Sequence, residues 1–233
     1  MSVVDCSHEA KVRRELVRYS RWLSRLGYTP GTSGNLSARL DSCRILVTPT
    51  GVSKALVRSS DMVTVDCQGK VLAGARNATS ELAMHLAVYK HRPDVGAVVH
   101  SHPPIATAFA CSGRALEEVL CQEAIMTLGT VPLARYATTG TDEVADSISP
   151  LVSSHDAILL ENHGAVTYGA ILSDAFMRME TVEHLAQVAL AAHQLGSPRP
   201  LSRDRIEQLQ IANAKYKNVG KVTFGDSESP SDV

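Results

Sequence analysis

Ala97-Val98-Val99-His100-Ser101-His102-Pro103-Pro104 decides how this chain is read. The apolar run from Val95 to Val99 is strand-like, and side chains along a strand repeat every second residue. His100 and His102 therefore emerge on one face while Ser101 points the other way. Two imidazoles presented together suit zinc or a similar divalent ion, and a catalytic site takes three protein ligands and leaves a position open. Alone, such a pair reads equally well as two polar residues at a strand end. A second apolar run, Ala157-Ile158-Leu159-Leu160, closes in the same way with Glu161-Asn162-His163-Gly164, where Gly164 is expected as a turn residue. The recurrence of a strand-terminal histidine favours a metal site, with His163 as the third ligand.

Working outward, three polar segments have the composition of anion cradles. Gly31-Thr32-Ser33-Gly34-Asn35 combines glycines that let backbone N–H groups converge with hydroxyl and amide donors. Thr48-Pro49-Thr50-Gly51-Val52-Ser53-Lys54 is of the same kind, and Asn77-Ala78-Thr79-Ser80 opens a helix, where free N–H groups and the dipole favour an anion. Each is ordinarily a plain turn, and none matches a Walker or dinucleotide fingerprint. Together, beside a metal site, they point to a phosphorylated substrate. Glu81 falls in the first turn of the same helix, where a carboxylate commonly serves as a dipole partner or capping-box member.

The chain has 233 residues, 44% of them hydrophobic, enough to bury a full core in one domain. We expect that domain over residues 1–217 and a flexible polar tail over 218–233. The net charge of −1 and the interspersed basic and acidic residues offer no attraction to nucleic acid. No apolar run is long enough to span a membrane, so none is expected as a partner. Five cysteines without CxxC spacing argue against a disulfide framework or a zinc ribbon and suit a reducing cytoplasm. Helical periodicity is read over residues 9–26, 80–91 and 173–195, from about residue 103, from Thr141, and from Arg203 to about Lys217. Short strands are read at 36–38, 45–47, 62–65, 70–72, 95–100, 131–133 and 157–160. Without a strict βαβ rhythm, these elements suggest helices packed on a mixed sheet in three layers. His85, His91, His184 and His193 read as packing or surface residues on helices, His8 and His155 as loop or cap residues.

Taken in order, GTSGNLS (31–37), TPTGVSK (48–54), ATSE (78–81), AVVHSHPP (97–104), YATTGT (136–141) and ENHG (161–164) resemble the class II aldolase/adducin superfamily, in particular its fuculose-1-phosphate aldolase branch. The resemblance implies an α/β/α fold around a mixed, largely antiparallel sheet, and a homotetramer with active sites at subunit interfaces. It implies one divalent metal per subunit, Zn2+ or else Co2+ or Mn2+, held by His100, His102, His163 and Glu81. Glu81 then doubles as the catalytic acid/base. Gly34, Asn35, Thr50, Gly51, Thr79 and Ser80 match the family's phosphate-binding positions. Lys54 lies beside them, where a solvated lysine is the ordinary outcome. The implied reaction cleaves a ketose 1-phosphate to dihydroxyacetone phosphate and an aldehyde through an enediolate, without a Schiff-base lysine.

The chain also departs from the pattern. Fuculose-phosphate aldolases carry a tyrosine in the segment that here reads Cys121-Gln122-Glu123-Ala124-Ile125-Met126, so Glu123 is a candidate proton donor or a rim residue. A second family tyrosine, from the C-terminal region of a neighbouring subunit, has Tyr216 as a loose match. Related 4-epimerases, decarboxylases and methylthioribulose-phosphate dehydratases share the metal site and remain alternatives. Retention of all three histidines and Glu81 argues against a non-catalytic adducin-like scaffold.

Overall fold

Strict alternation along short strands sends this chain's apolar residues to two faces of one sheet, and helices cover both. The computed structural model describes residues 6–213. Its elements are α1 (Cys6–Arg25), β1 (Asn35–Arg39), β2 (Arg44–Val47), β3 (Val63–Asp66), β4 (Val71–Ala73), α2 (Leu82–His91), β5 (Ala97–Ser101), α3 (Pro104–Cys111), α4 (Gln122–Thr127), β6 (Leu133–Ala134), α5 (Glu143–Val152), β7 (Ala157–Leu160), β8 (Gly164–Gly169), α6 (Leu172–Leu195) and α7 (Arg203–Asn213). The eight strands lie in the order β4-β3-β2-β1-β5-β8-β7-β6. Every neighbouring pair is antiparallel except β6 and β7. The expected mixed, largely antiparallel α/β/α architecture is the one observed.

In β5, Ala97 and Val99 join a core with Leu16 of α1, Phe109 of α3 and Phe176 of α6. Val98 faces the opposite core with Val88 of α2 and Ile148 of α5. Both cores are closed to solvent at their centres: Leu16, Leu36, Ile45, Val98, Val99 and Ile158 are all fully buried. Side chains of this kind contribute about 1.5–3 kcal/mol each when buried. Alternation continues past the apolar run, so His100 belongs to the α2 face and Ser101 to the other. A carboxylate ties two helices of one layer together: buried Glu183 of α6 accepts hydrogen bonds from the Ile105 and Ala106 N–H groups of α3. It thereby satisfies otherwise unpaired donors at a helix start.

Three elements depart from the sequence reading. Residues 164–169 form strand β8, central in the sheet, and Gly164 is its first residue. The turn is Glu161-Asn162-His163, where Asn162 takes the left-handed conformation at φ 56° that asparagine tolerates. Gly164 is required by space instead, since a Cβ there would lie 2.6 Å from the Ser101 carbonyl oxygen and 3.0 Å from the His102 ring. The six-residue helix α4 is the other addition. The expected strand at 131–133 shrinks to a β6 of residues 133–134, with Val131 bridged separately to Leu116. The tail over 218–233 lies outside the described residues. Gly164→Ala is expected to lower stability by about 1–3 kcal/mol through this overpacking. A denaturation midpoint equal to the parent's would contradict the close approach.

Candidate metal centre and active site

Three imidazoles meet where β1, β5 and β8 lie side by side. Asn35 of β1 sits opposite His100 of β5, and His100 opposite Val166 of β8. The β7–β8 turn then delivers His163. His100 is fully buried, and its Nδ1 lies 2.9 Å from the Ala165 carbonyl oxygen. That carbonyl can only accept, so Nδ1 carries a proton, and Nε2 is the nitrogen that can offer a lone pair to an ion. His102, just past the strand, is fixed by its backbone N–H donating to the Tyr28 carbonyl at 2.7 Å. Its Nε2 is 3.1 Å from that of His100. One ring nitrogen from each of His100, His102 and His163 falls within 4.8 Å of the others.

Glu81 completes the group. It is the N-cap residue of α2, yet its side chain bonds no helix N–H, so the capping role is not the one it takes. Oε2 lies 3.2 Å from His100 Nε2 and accepts a hydrogen bond from Asn35 Nδ2 at 2.7 Å. Oε1 lies 3.3 Å from His163 Nε2 and is buried with no hydrogen-bond partner among the described residues. Burial works against charge on Glu81, but His100, His163 and the Asn35 donor outweigh it and hold the carboxyl well below the usual carboxylate range. Burial, reinforced by His100 and His163, pushes His102 down to about 3. Burial and then His100 push His163 down to about 4. Burial also lowers His100, but the Glu81 carboxylate reverses this and leaves it raised. His102 and His163 are thus neutral at ordinary pH, as metal ligands must be. Convergent lone pairs around an unsatisfied buried carboxylate oxygen fit a divalent cation.

A cavity of about 290 Å³ opens beside this cluster and is lined by Glu81, His102 and His163. Gly34, Asn35, Thr50, Gly51, Thr79 and Ser80 line it too, so all six expected phosphate positions converge. The loops are tied together: Thr79 N–H donates to the Thr48 carbonyl and Thr50 N–H to that of Asn77, each at 3.2 Å. Gly34 (φ 69°) allows the tight approach, because a Cβ there would meet the Thr29 side chain at 2.5 Å. Lys54 is not solvated as expected but 1% exposed, donating to the Val52 and Thr32 carbonyls at 2.7 and 3.1 Å while lining the cavity. Enclosure by the two loops explains the difference. Burial pushes its ammonium down to about 8, against the opposing pull of Glu81.

Thr139 and Gly140 also line the cavity, a placement that the YATTGT segment does not reveal by its composition. Glu123 is exposed on α4 and is not among the lining residues of this single chain. Tyr216 lies outside the described residues. A larger cavity of about 860 Å³, lined by residues such as Arg39, Lys90 and Asp146, contains none of the clustered ligands. Chemistry, not size, therefore identifies the site.

Residues 14–190 match the class II aldolase and adducin N-terminal domain. The chain belongs to the class II aldolase and adducin family. It is 34% identical to the 5-methylthioribulose-1-phosphate/5-deoxyribulose-1-phosphate aldolase of Rhodospirillum rubrum, covering 93% of each chain. It is 32% identical to the L-fuculose phosphate aldolase of Escherichia coli K12, over 90% of this chain and 96% of that one. A solved L-fuculose 1-phosphate aldolase superposes with a TM-score of 0.82 at 33% identity, covering 88% of this chain and 96% of that one. These relatives place the chain among the family's enzymes rather than its scaffolds. No helix among the described residues is long and apolar enough to cross a membrane.

The ligand geometry has a direct consequence for stability. Since a bound ion stabilises only the folded state, saturation to about 100 times the dissociation constant adds about 2.7 kcal/mol. Stripping the purified protein with a chelator is expected to lower its melting temperature. Re-addition of a divalent ion should restore it in the parent but not in His100→Ala. Equal restoration in both would remove the histidines from the metal site.

Proposed function

We propose that this chain is a divalent-metal-dependent aldolase that cleaves a ketose 1-phosphate to dihydroxyacetone phosphate and an aldehyde. The observation that carries this reading is Glu81: a largely buried carboxylate shared between two imidazoles and an amide, at the wall of a cavity lined by hydroxyls, glycines and one ammonium. Its position between the metal ligands and the anion-like end is where an acid/base must work on a carbon close to a phosphoester.

A divalent ion held by His100, His102, His163 and Glu81 supplies Lewis acidity for the negative charge that cleavage leaves on the carbonyl half. The protein residues manage the remainder. Gly34, Asn35, Thr50, Gly51, Thr79 and Ser80 bind the phosphate, with Lys54 as its nearby cation. Binding energy gained at this end orients the reacting carbons. The C4 hydroxyl loses its proton, the C3–C4 electron pair moves onto C3, and C4 becomes the aldehyde carbon. The C4 hydroxyl proton passes to the group at the aldehyde end, and Glu81, having taken up a proton from solvent, delivers it to C3 to complete dihydroxyacetone phosphate. Glu123 and Tyr216 are the proposed donors or acceptors at the aldehyde end.

Zinc is the proposed resident ion because three imidazoles with one carboxylate suit it, although cobalt and manganese accept the same ligands. A cytoplasmic homotetramer belongs to the same reading. Exposed, unpaired Cys43, Cys67 and Cys111 suit a reducing compartment. The relatives' substrates suggest fuculose, 5-deoxyribulose and methylthioribulose 1-phosphates as first trials.

The test is a screen for dihydroxyacetone phosphate release from these compounds and their epimers. Glu81→Gln is expected to lower kcat by about 10²–10⁴-fold. If none is cleaved and one is epimerised, dehydrated or decarboxylated, the aldolase reading is wrong. A pH series adds an independent check. Lys54 has a depressed pKa, so it is charged below about 8 and neutral above it. Affinity for inorganic phosphate, measured calorimetrically on metal-loaded protein, should therefore fall as pH rises from about 8 towards 10. Lys54→Met should bind weakly and without this fall. The same slope in that variant would exclude Lys54 as the cation.

A further inference from the structure

Behind Asn35 runs a buried polar chain that the reaction does not use directly. Asn35 Oδ1 is 2.6 Å from His85 Nε2, His85 Nδ1 is 2.7 Å from Ser37 Oγ, and Ser37 Oγ is 2.9 Å from the Tyr89 hydroxyl. Asn35 and Tyr89 are each 5% exposed, and Ser37 and His85 are fully buried. The chain joins two elements, since Asn35 and Ser37 lie on β1 while His85 and Tyr89 lie on α2.

The direction of every bond follows from one fact. A carboxylate accepts and cannot donate, so Asn35 must turn its amide N–H toward Glu81 Oε2 and its carbonyl oxygen toward His85. His85 Nε2 must then carry a proton. In a neutral ring Nδ1 is left as an acceptor, so Ser37 donates to it and in turn accepts from Tyr89. Burial, followed by the nearby His100, pushes His85 down to about 3, in keeping with a neutral ring. No member of the chain is left with donor facing donor.

We propose that His85 is a positioning residue for the metal site, holding the Asn35 amide in the one orientation that presents N–H to Glu81. A flipped amide would set its oxygen against the carboxylate and its NH2 against His85 Nε2–H. Both contacts are repulsive, so the Nε2–H of His85 opposes the flip from one side of the amide as Glu81 does from the other. Through Asn35 it fixes the carboxylate that closes the ligand set. The inference rests on the reading of His100, His102, His163 and Glu81 as a metal centre, and it does not depend on which sugar phosphate is used.

The experiment is a competitive chelator titration of zinc affinity on the full chain. Loss of a hydrogen-bond partner behind a ligand typically lowers metal affinity about 10–100-fold. His85→Leu is expected to fall in that range, and His85→Gln, which keeps an N–H where Nε2 stood, should recover most of the loss. In an Asn35→Ala background the His85→Leu effect should vanish, because residues acting through one another are non-additive. Unchanged affinity in His85→Leu, equal loss in His85→Gln, or additive losses with Asn35→Ala would each overturn the proposal. If His85→Leu does not fold, Ser37→Ala removes only the hydroxyl that holds the His85 ring at Nδ1 and should weaken zinc in the same direction; parental affinity there would overturn it too. Failure to release dihydroxyacetone phosphate leaves these affinities readable, so the two readings fail separately.

Discussion

A carboxylate taken out of water is costly unless donors or positive charge replace the solvent, and Glu81 obtains them from three directions at once. Asn35 supplies an N–H from β1, His100 approaches from β5, and His163 from the β7–β8 turn. None of these groups is a sequence neighbour of Glu81. The sheet order that puts β1, β5 and β8 side by side is therefore a condition for keeping this charge inside the protein. The same charge restricts what can occupy the space among the imidazoles. A cation satisfies both the ring lone pairs and the unpaired Oε1, whereas water satisfies neither fully.

The cavity beside it divides the labour between charged and neutral groups. Its loops contribute mostly backbone, hydroxyl and amide donors, which can be enclosed at modest cost because hydrogen bonds among the loops satisfy the remainder. Lys54 is the exception. Its ammonium is held by two carbonyls rather than a carboxylate, leaving its charge available to an incoming anion. An ion pair there would have neutralised it.

Much of this was legible in the sequence where chemistry depends on local spacing. Period two along Val98-Val99-His100-Ser101-His102 predicts two imidazoles on one face; the strand ends at Ser101, and the Tyr28 carbonyl that holds the His102 N–H keeps the second imidazole beside the first. Glu81 and the three loops were recognisable by their order along the chain. What escaped depends on contacts between distant segments. Gly164 resembles a turn glycine, and only the nearness of Ser101 and His102 explains it as the start of a strand. His85 looked like ordinary helix packing because its partners, Asn35 and Ser37, belong to a strand many residues earlier. Lys54 reads as a surface lysine until two loops close over it. Helix α4, at six residues, is too short for periodicity to separate from a loop.

The pairing of β5 with β8 carries a consequence for folding. Locally the chain offers a metal only His100 and His102, while the third histidine depends on a contact of long sequence separation that forms only when two central strands find their register. A slip of β8 by one residue would reverse its faces and carry the neighbouring turn out of place. In the proposed site, high metal affinity would thus belong to one register alone, and a bound ion would favour correct strand alignment.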